Sequence, residues 1–538
     1  MDKNIYFREW IHNWTWGTRA AIFIILLVSI LQFSLFSLTQ NYVVSYFGAQ
    51  PEDITFSIQV TYVSLLAFLP LQIRLLNYFN TRKYLITVLM MGIVLNLIIM
   101  KVTDVNYFIV LRFFQGITIS TIAGAMLTLI FTRLHNEKKQ AVGYSVYYGT
   151  LLASSVAAGA PSAWIIDNTD WRMIYYIVIL FQVISIIIAF FVFTKERLHR
   201  QQPLYQIDWK AYIIMASLML SVAYFMVYGP RKYWFESREI TYCFMLILAL
   251  LYLFIYREVK TKRPIVHFSI FRSPKFIAGL FLLALFYGFK DTISLIYNHI
   301  SNVSQWPNYQ YVALAACNIT GMAIAMYAAS QLVMRRRHTL HFFLIAGFGS
   351  MCGFNYWMYS IISTDMSFED LALPIFLHGV ACGILFMPIA TYILSKVPVN
   401  TGISGTLVAG NVRFFSTLHS FAGFYTLQLF FNQHYKEQFL AHLTPYDNVY
   451  NEANDTAIQQ FLSKGYALQD ATNMARATIA KQMAVQSQLL TSQAIFLLVA
   501  FATGAIVIGA IIFPILKNIH RNRFSHKTKA SDLQLIKK

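Results

Sequence analysis

Four ionisable side chains stand inside stretches otherwise suited to hydrocarbon: Arg112, Lys290, Asp291 and Arg413. Two histidines, His378 and His419, share that setting. A charge at the centre of a membrane-spanning helix costs on the order of 2.5 to 3.5 kcal/mol on insertion scales, so such residues face a partner or a hydrated cavity. Three cations around one deep carboxylate make that cavity electropositive and favour anionic or amphipathic ligands. Asp291 is the only acid well inside an apolar run, which makes it the first candidate to carry a proton. His378 and His419 follow, because an unperturbed imidazole titrates near ~6.5. The plain alternative is a buried bridge in which Asp291 neutralises one of the cations. Lys290 is not its expected partner, since adjacent side chains on a helix point ~100° apart.

The remaining chemistry is thin. No GxxxxGK[ST] loop is present to cradle a nucleotide. The apolar runs hold no HxxxH or DxxxD set of the kind a metal centre or general acid/base pair needs. Cys243, Cys317, Cys352 and Cys382 have neither CxxC nor zinc-ligand spacing and read as small apolar fillers. No enzymatic activity, metal or cofactor is expected.

The elements that must hold these residues follow from composition. Of 538 residues, 57% are hydrophobic and only 12% are charged. Soluble domains carry roughly 25% charged residues. The chain is therefore a polytopic membrane protein. Since ~20 apolar residues cross the ~30 Å hydrocarbon core, spans are expected at 20–48, 54–76, 84–101, 107–132, 142–166, 173–194, 211–229, 239–256, 276–300, 309–333, 341–362, 371–394, 404–431 and 492–516. That is an all-α fold of fourteen transmembrane helices.

Most of the Lys and Arg fall in alternate connections, including Arg335, Arg336 and Arg337 and the tail 517–538, which puts both termini in the cytoplasm. The net charge of +19 then meets anionic lipid headgroups. No soluble basic module exists to bind nucleic acid. Residues 1–19 form a cytoplasmic interfacial segment with Trp10, Trp14 and Trp16 at headgroup level. A six-helix half follows over 20–194, then basic connections and two linker helices over 195–275. A second six-helix half over 276–516 includes the outside polar segment 432–491. Ala467 to Leu490 has helical propensity and suggests an extramembrane cap or hairpin. That segment reads either as a solvated connection packed on its own helices or as a docking surface. Parallel six-helix halves recur among secondary transporters, with the substrate site between them near the midplane.

Small residues from Ala153 to Ala160, including Gly159 and ending in Pro161, allow close helix approach and a kink. Gly379, Gly383 and Pro388 repeat that chemistry in the twelfth span.

These residues resemble the major facilitator superfamily, specifically its fourteen-span drug/proton antiporter branch. "LRFFQG", with Arg112, Gln115 and Gly116, is similar to the family's fourth-helix RxxQG motif, whose arginine is implicated in substrate and proton coupling. "AAGAP" at 157–161 resembles the fifth-helix antiporter motif, and Trp171 with Arg172 the WR signature before the sixth. The stretch "RPIVHFSIFRSPKF" from Arg263 resembles the segment before the ninth helix. "HGVACGILFMP" at 378–388, followed by Val397, Pro398, Ser404, Gly405, Asn411 and Arg413, resembles the twelfth and thirteenth helix pattern. Departures accompany the match. No acid lies between Arg19 and Glu52, and "RLLNYFNTRK" keeps only Arg82 and Lys83 of the family's second-to-third loop. The resemblance implies a secondary active transporter of the inner membrane, a proton-coupled, drug-efflux-like exporter working by alternating access; the excess of cations around Asp291 makes its expected cargo amphipathic or anionic small molecules. Partners implied are a small-molecule substrate, a proton or other coupling ion, the bilayer, and a periplasmic adaptor with an outer-membrane channel. Metabolite uptake or facilitated transport without proton antiport, and a non-transporting sensor of the same fold, stand as alternatives.

Overall fold

Lipid offers backbone amides no outside partner, so each crossing must satisfy its own as a helix. A computed structural model describes residues 6–535 other than 13, 35, 134–149, 151–158, 160, 167, 196–203, 205–206, 262–263, 305, 336–338 and 398–400. The described residues are helical almost throughout; the one strand-like pairing among them is an isolated bridge between Phe7 and Phe193.

The first predicted span is two helices, α1 (Thr15–Ser34) and α2 (Phe36–Phe47). Then come α3 (Pro51–Phe68), α4 (Thr81–Ile99), α5 (Val105–Arg133), α6 (Ile174–Val192), α7 (Trp209–Tyr228) and α8 (Arg238–Lys260). The ninth predicted span is broken. α9 (Pro274–Phe289) gives way to a 3-10 turn at Lys290–Thr292 before α10 (Ile293–His299). α11 (Asn308–Met334), α12 (Leu340–Ile361), α13 (Phe368–Ser395), α14 (Gly402–His442), α15 (Asn448–Ser463) and α16 (Leu468–Leu535) complete the chain.

Eleven helices among the described residues are long and apolar enough to cross a membrane, against fourteen expected. α12 and α14 sit on the eleventh and thirteenth predicted spans and are long enough. They fall short of the eleven in overall apolarity, not in length. The fifth predicted span, 142–166, lies largely outside the described residues, together with the small-residue run at 153–158. The polar segment 432–491 is mostly helix: α14 continues to His442, α15 follows, and α16 runs unbroken from Leu468 into the last span.

The chain divides into two compact units. The first comprises Met1–Asp291, Trp306–Ile319 and Ile389–Tyr425. Within it α1 and α4 each pack on both α5 and α6, closing a four-helix ring, while α3 lies along α5 and α7, and α7 along α8. Leu26, Leu85, Leu89 and Met126 fill the ring's core. α8 is apolar on nearly every side and almost wholly exposed, as a helix facing acyl chains must be. The second unit comprises Thr292–Gln305, Thr320–Pro388 and Thr426–Lys538. There α16 packs along α12 and α15; its buried Ala471 and Ala475 are small residues of the kind that let α15 come close.

The linker pair α7 and α8 is pinned at one end by Asp208, which caps α7 by accepting from the Ala211 amide at 3.2 Å and pairs with Arg257 of α8 at 2.6 Å. Burial pushes the Asp208 carboxyl up, but the hydrogen bonds from Arg257 and Ala211 outweigh it and hold the group below the usual carboxylate range. A depressed carboxylate stabilises the fold above its unfolded pKa of ~3.9, and that contribution disappears as pH falls through the folded value. Asp208→Ala is expected to cost about 1 kcal/mol, since Arg257 is partly solvated. Thermal unfolding in detergent at neutral and acid pH checks this: the wild-type advantage over the variant should shrink on acidification.

Candidate functional site

The break in the ninth span builds the first group. At the 3-10 turn after Phe289 the regular ladder tightens, and lysine's four-carbon stem lets its ammonium fold back on its neighbour. Lys290 Nζ donates to Asp291 Oδ1, so the expectation that these two are not natural partners is overturned. Both are about one-quarter exposed, 27% and 25%. Lys290 also sits 5.3 Å from the centre of the Tyr287 ring, one turn earlier on α9. Arg413 of α14 lies over the same ring at 5.1 Å and over Tyr62 of α3 at 5.9 Å. Ser420 Oγ donates to the Gly288 carbonyl at 2.8 Å, tying α14 to α9 beside these groups. Three helices thus converge on two cations, one carboxylate and two phenol rings; Lys290, Asp291, Arg413 and Tyr62 are partly exposed, while the shared Tyr287 ring is buried beneath the cations.

Arg112 belongs to a second group, inside the four-helix ring. It is fully buried and donates through Nη1 to Gln115 Oε1 one turn along α5. Gln115 Nε2 donates to Asn96 Oδ1 of α4 at 2.8 Å, and Asn96 Nδ2 to Gln182 Oε1 of α6 at 3.0 Å. Tyr175 of α6 lies within electrostatic reach of Arg112. The relay is wholly buried yet incompletely satisfied: Gln182 Nε2, Ser185 Oγ and the Tyr175 hydroxyl have no hydrogen-bond partner among the described residues. Such orphaned groups are natural ligands for internal water. Gly116 explains how α5 approaches α3 beside this relay, because a Cβ there would lie 2.3 Å from the Thr61 carbonyl oxygen.

The other predicted residues are dispersed. His378 is buried in the second unit against the Phe354 ring, at 4.7 Å, and the Cys382 sulfur. Gly383 permits close packing of α13 on α11, since a Cβ would lie 2.5 Å from the Met322 carbonyl. Gly379 and Pro388 are buried in α13. His419 is exposed on α14, next to Ser420. Arg82 is buried with its guanidinium 3.7 Å from the Phe190 ring centre, while Lys83 is exposed. Gly159 is buried and helical and Pro161 partly buried, but most of their flanking run lies outside the described residues. Among the described residues no three His, Cys, Asp or Glu side chains converge as a metal would require.

Sequence reasoning missed Tyr62, Tyr287, Asn96 and Gln182, which are ordinary residue types at unremarkable spacings. It also missed an acid pair at the start of α3. Glu52, 6% exposed, accepts from Arg231 at 2.8 Å and from the Tyr425 hydroxyl at 3.0 Å, and Asp53 accepts from the Tyr228 hydroxyl at 2.6 Å. Two adjacent acids after Pro51, opening an apolar run, were the available signal.

The family model described as "Major Facilitator Superfamily" matches residues 22–418, most of the chain. The chain belongs to the major facilitator superfamily. Among curated members it is similar to "Multidrug export protein EmrB" of Haemophilus influenzae, 22% identical over 381 residues that make up 68% of this chain and 72% of that one. The Escherichia coli K12 protein of the same name is 24% identical over 307 residues, 55% of this chain and 57% of that one, so the chain spans little more than half of that relative. "Fatty acid resistance protein FarB" of Neisseria gonorrhoeae is 24% identical over 376 residues, 67% and 70%. In fold it is similar to a POT family transporter solved in complex with 5-aminolevulinic acid, with a TM-score of 0.57 at 11% identity, covering 92% of this chain and 96% of that one. The xylose transporter XylE from E. coli gives 0.50 at 10% identity, covering 77% and 91%. The chain is thus a multi-pass membrane protein with the superfamily's all-α fold.

The close approach at Gly116 makes a sharp expectation. Gly116→Ala has to move α5 off α3 and should cost several kcal/mol, on the order of an overpacked core. At Gly353 an added Cβ would find nothing within 4 Å. Gly353→Ala should therefore be neutral or gain about 0.5 to 1 kcal/mol. Thermal stability in detergent separates the two.

Proposed function

We propose that this protein is a proton-coupled secondary active transporter that exports amphipathic or anionic small molecules by alternating access. One observation carries the reading: Lys290 and Arg413 share the Tyr287 ring, beside Asp291 and Tyr62, on helices that converge within the protein. In this account the cargo's anionic end meets Lys290 and Arg413, and its apolar body meets the two tyrosines. Asp291 is the first candidate to exchange a proton, with His378 and His419 as further candidates. Arg112 and Gln115 act through the buried relay to Asn96 and Gln182. Gly116, Gly159, Pro161, Gly379, Gly383 and Pro388 permit the close packing and bends that reorientation needs, and Arg82 and Lys83 serve the connection between α3 and α4.

The export direction is supported by the two relatives named as multidrug export proteins, and an anionic amphipath by the one named for fatty acid resistance. A fatty acid is a carboxylate with an apolar tail, the chemistry that two cations over phenol rings accommodate. The proposed setting is the inner membrane, with both termini cytoplasmic and two six-helix halves joined by α7 and α8. The helix α15 and the start of α16 would then lie outside, where a periplasmic adaptor leading to an outer-membrane channel could dock.

Reconstituted flux tests this. Arg413→Ala and Lys290→Ala should each slow efflux of an anionic lipophilic dye about tenfold, the equivalent of ~1.4 kcal/mol of lost cation and ring contact. Asp291→Asn should leave efflux indifferent to an imposed pH gradient that drives the wild type. Preference for a cationic dye, or anionic efflux untouched by the two alanines, overturns the site. Wild-type efflux that ignores the gradient overturns proton coupling.

A further inference from the structure

We infer that Arg8 and Arg82 clamp the phosphate of an anionic phospholipid where the N-terminal segment crosses the end of the four-helix ring. The segment is strapped onto that end through its backbone. The Arg8 amide donates to the Val192 carbonyl at 2.9 Å and the Thr194 amide to the Tyr6 carbonyl at 3.1 Å, which makes the isolated bridge between Phe7 and Phe193. Trp10, in the short helix Glu9–His12, donates through Nε1 to the Phe191 carbonyl at 3.3 Å. Tyr6, Phe7 and Ile11 are buried in the ring's core, which fixes where Arg8 stands.

Arg82, the second residue of α4, is a charge in need of a partner. It is 3% exposed, and its Nη1 is buried with no hydrogen-bond partner among the described residues. The Phe190 ring, 3.7 Å away, offsets part of the hydration lost on one face of the guanidinium but accepts none of its in-plane N–H bonds. Arg8 lies within electrostatic reach and adds a second positive charge. Among the described residues neither arginine joins an ion pair. Glu9, beside Arg8, is exposed and bridges to neither. Asn80 Oδ1, buried without a partner half a turn before Arg82, is a neutral acceptor and balances neither charge. Buried charges persist when paired, so two guanidinium groups that face no acid call for an anion from outside the chain. Their planar forks suit a phosphate, which each can grip through two donors.

The surroundings identify what carries that phosphate. Phe190 is 48% exposed, so the cover over Arg82 is one ring thick and itself open to the bilayer. Phe191 beside it is exposed, as are Trp10, Trp14 and Trp16 along the strap and the helix it leads into. Indole rings settle at headgroup depth, where lipid phosphates also lie. A phosphate borne on acyl chains satisfies the arginines and covers the rings together; a free anion leaves the rings to water. On the face proposed to be cytoplasmic, anionic headgroups are plentiful. One phosphate held by both side chains joins the strap to α4 as well as to α6, whatever cargo the protein carries.

Hydrogen exchange read by mass spectrometry tests the clamp on the full-length protein in two kinds of nanodisc, one of phosphatidylcholine alone and one with phosphatidylglycerol mixed in. Peptides covering 6–12 and 188–195 should exchange about tenfold more slowly with phosphatidylglycerol present. Arg8→Gln and Arg82→Gln should each exchange at the fast rate in both. Arg8 is partly exposed at the edge of the fold, so Arg8→Gln decides the matter even where Arg82→Gln unfolds. Lys275→Gln removes one positive charge from the exposed start of α9 and should keep the wild-type response. Soluble glycerol phosphate added to the phosphatidylcholine discs should protect neither peptide. A wild type that exchanges alike in the two lipids, or an arginine variant still protected by phosphatidylglycerol, overturns the clamp. Loss of the response in Lys275→Gln, or equal protection by glycerol phosphate, overturns it as well.

Discussion

An ammonium and a guanidinium held over one phenol ring, that of Tyr287, is the interaction on which the rest of the candidate site depends. Ionised groups in a bilayer are tolerated only where protein, water or a counter-charge replaces the hydration they lose. Here the ring's electron-rich face, the Asp291 carboxylate and the second ring of Tyr62 share that task. α3, α9 and α14 must come together to supply them, and the 3-10 turn at Lys290–Thr292 is the local distortion that lets one helix contribute both an acid and a base.

A single helix joins the two ends of this arrangement. α14 carries Arg413, Ser420 and Tyr425, so it touches α9 at Gly288 and α3 at both Tyr62 and Glu52. Arg112 has a different role in space. It is sealed inside the ring of α1, α4, α5 and α6 and opens a relay built from amide side chains. The groups at Gln182, Ser185 and Tyr175 that lack a hydrogen-bond partner among the described residues are the places where water would enter such a relay.

Much of this was legible in the sequence, for reasons that differ by residue. Periodic apolar runs forced helices, and the rarity of charge inside them singled out Arg112, Lys290, Asp291 and Arg413. The RxxQG spacing put Arg112 and Gln115 one turn apart on α5, which is how they bond. What escaped detection depended on distance along the chain or on local irregularity. Tyr62 and Arg413 are separated by most of the protein, and tyrosine in a membrane helix carries no signal of its own. The Lys290 to Asp291 pairing follows from a break in helical geometry that hydropathy does not report. Glu52 looked like the edge of a span, and only the fold brings Arg231 and Tyr425 to it. The polar stretch after Asn432 looked like a connection with some helical propensity, whereas α14 and α16 simply continue past the apolar runs that define their spans.

The central claim is that water and cargo reach the cations Lys290 and Arg413, and hydroxyl-radical footprinting of the protein in lipid nanodiscs tests it directly. The account predicts that Tyr62, the partly exposed ring under Arg413, is oxidised in the empty protein and protected when an anionic amphipath is added, while the Arg413→Ala variant is oxidised with no such protection. Tyr62 shielded from radicals throughout, as a residue facing acyl chains would be, contradicts it.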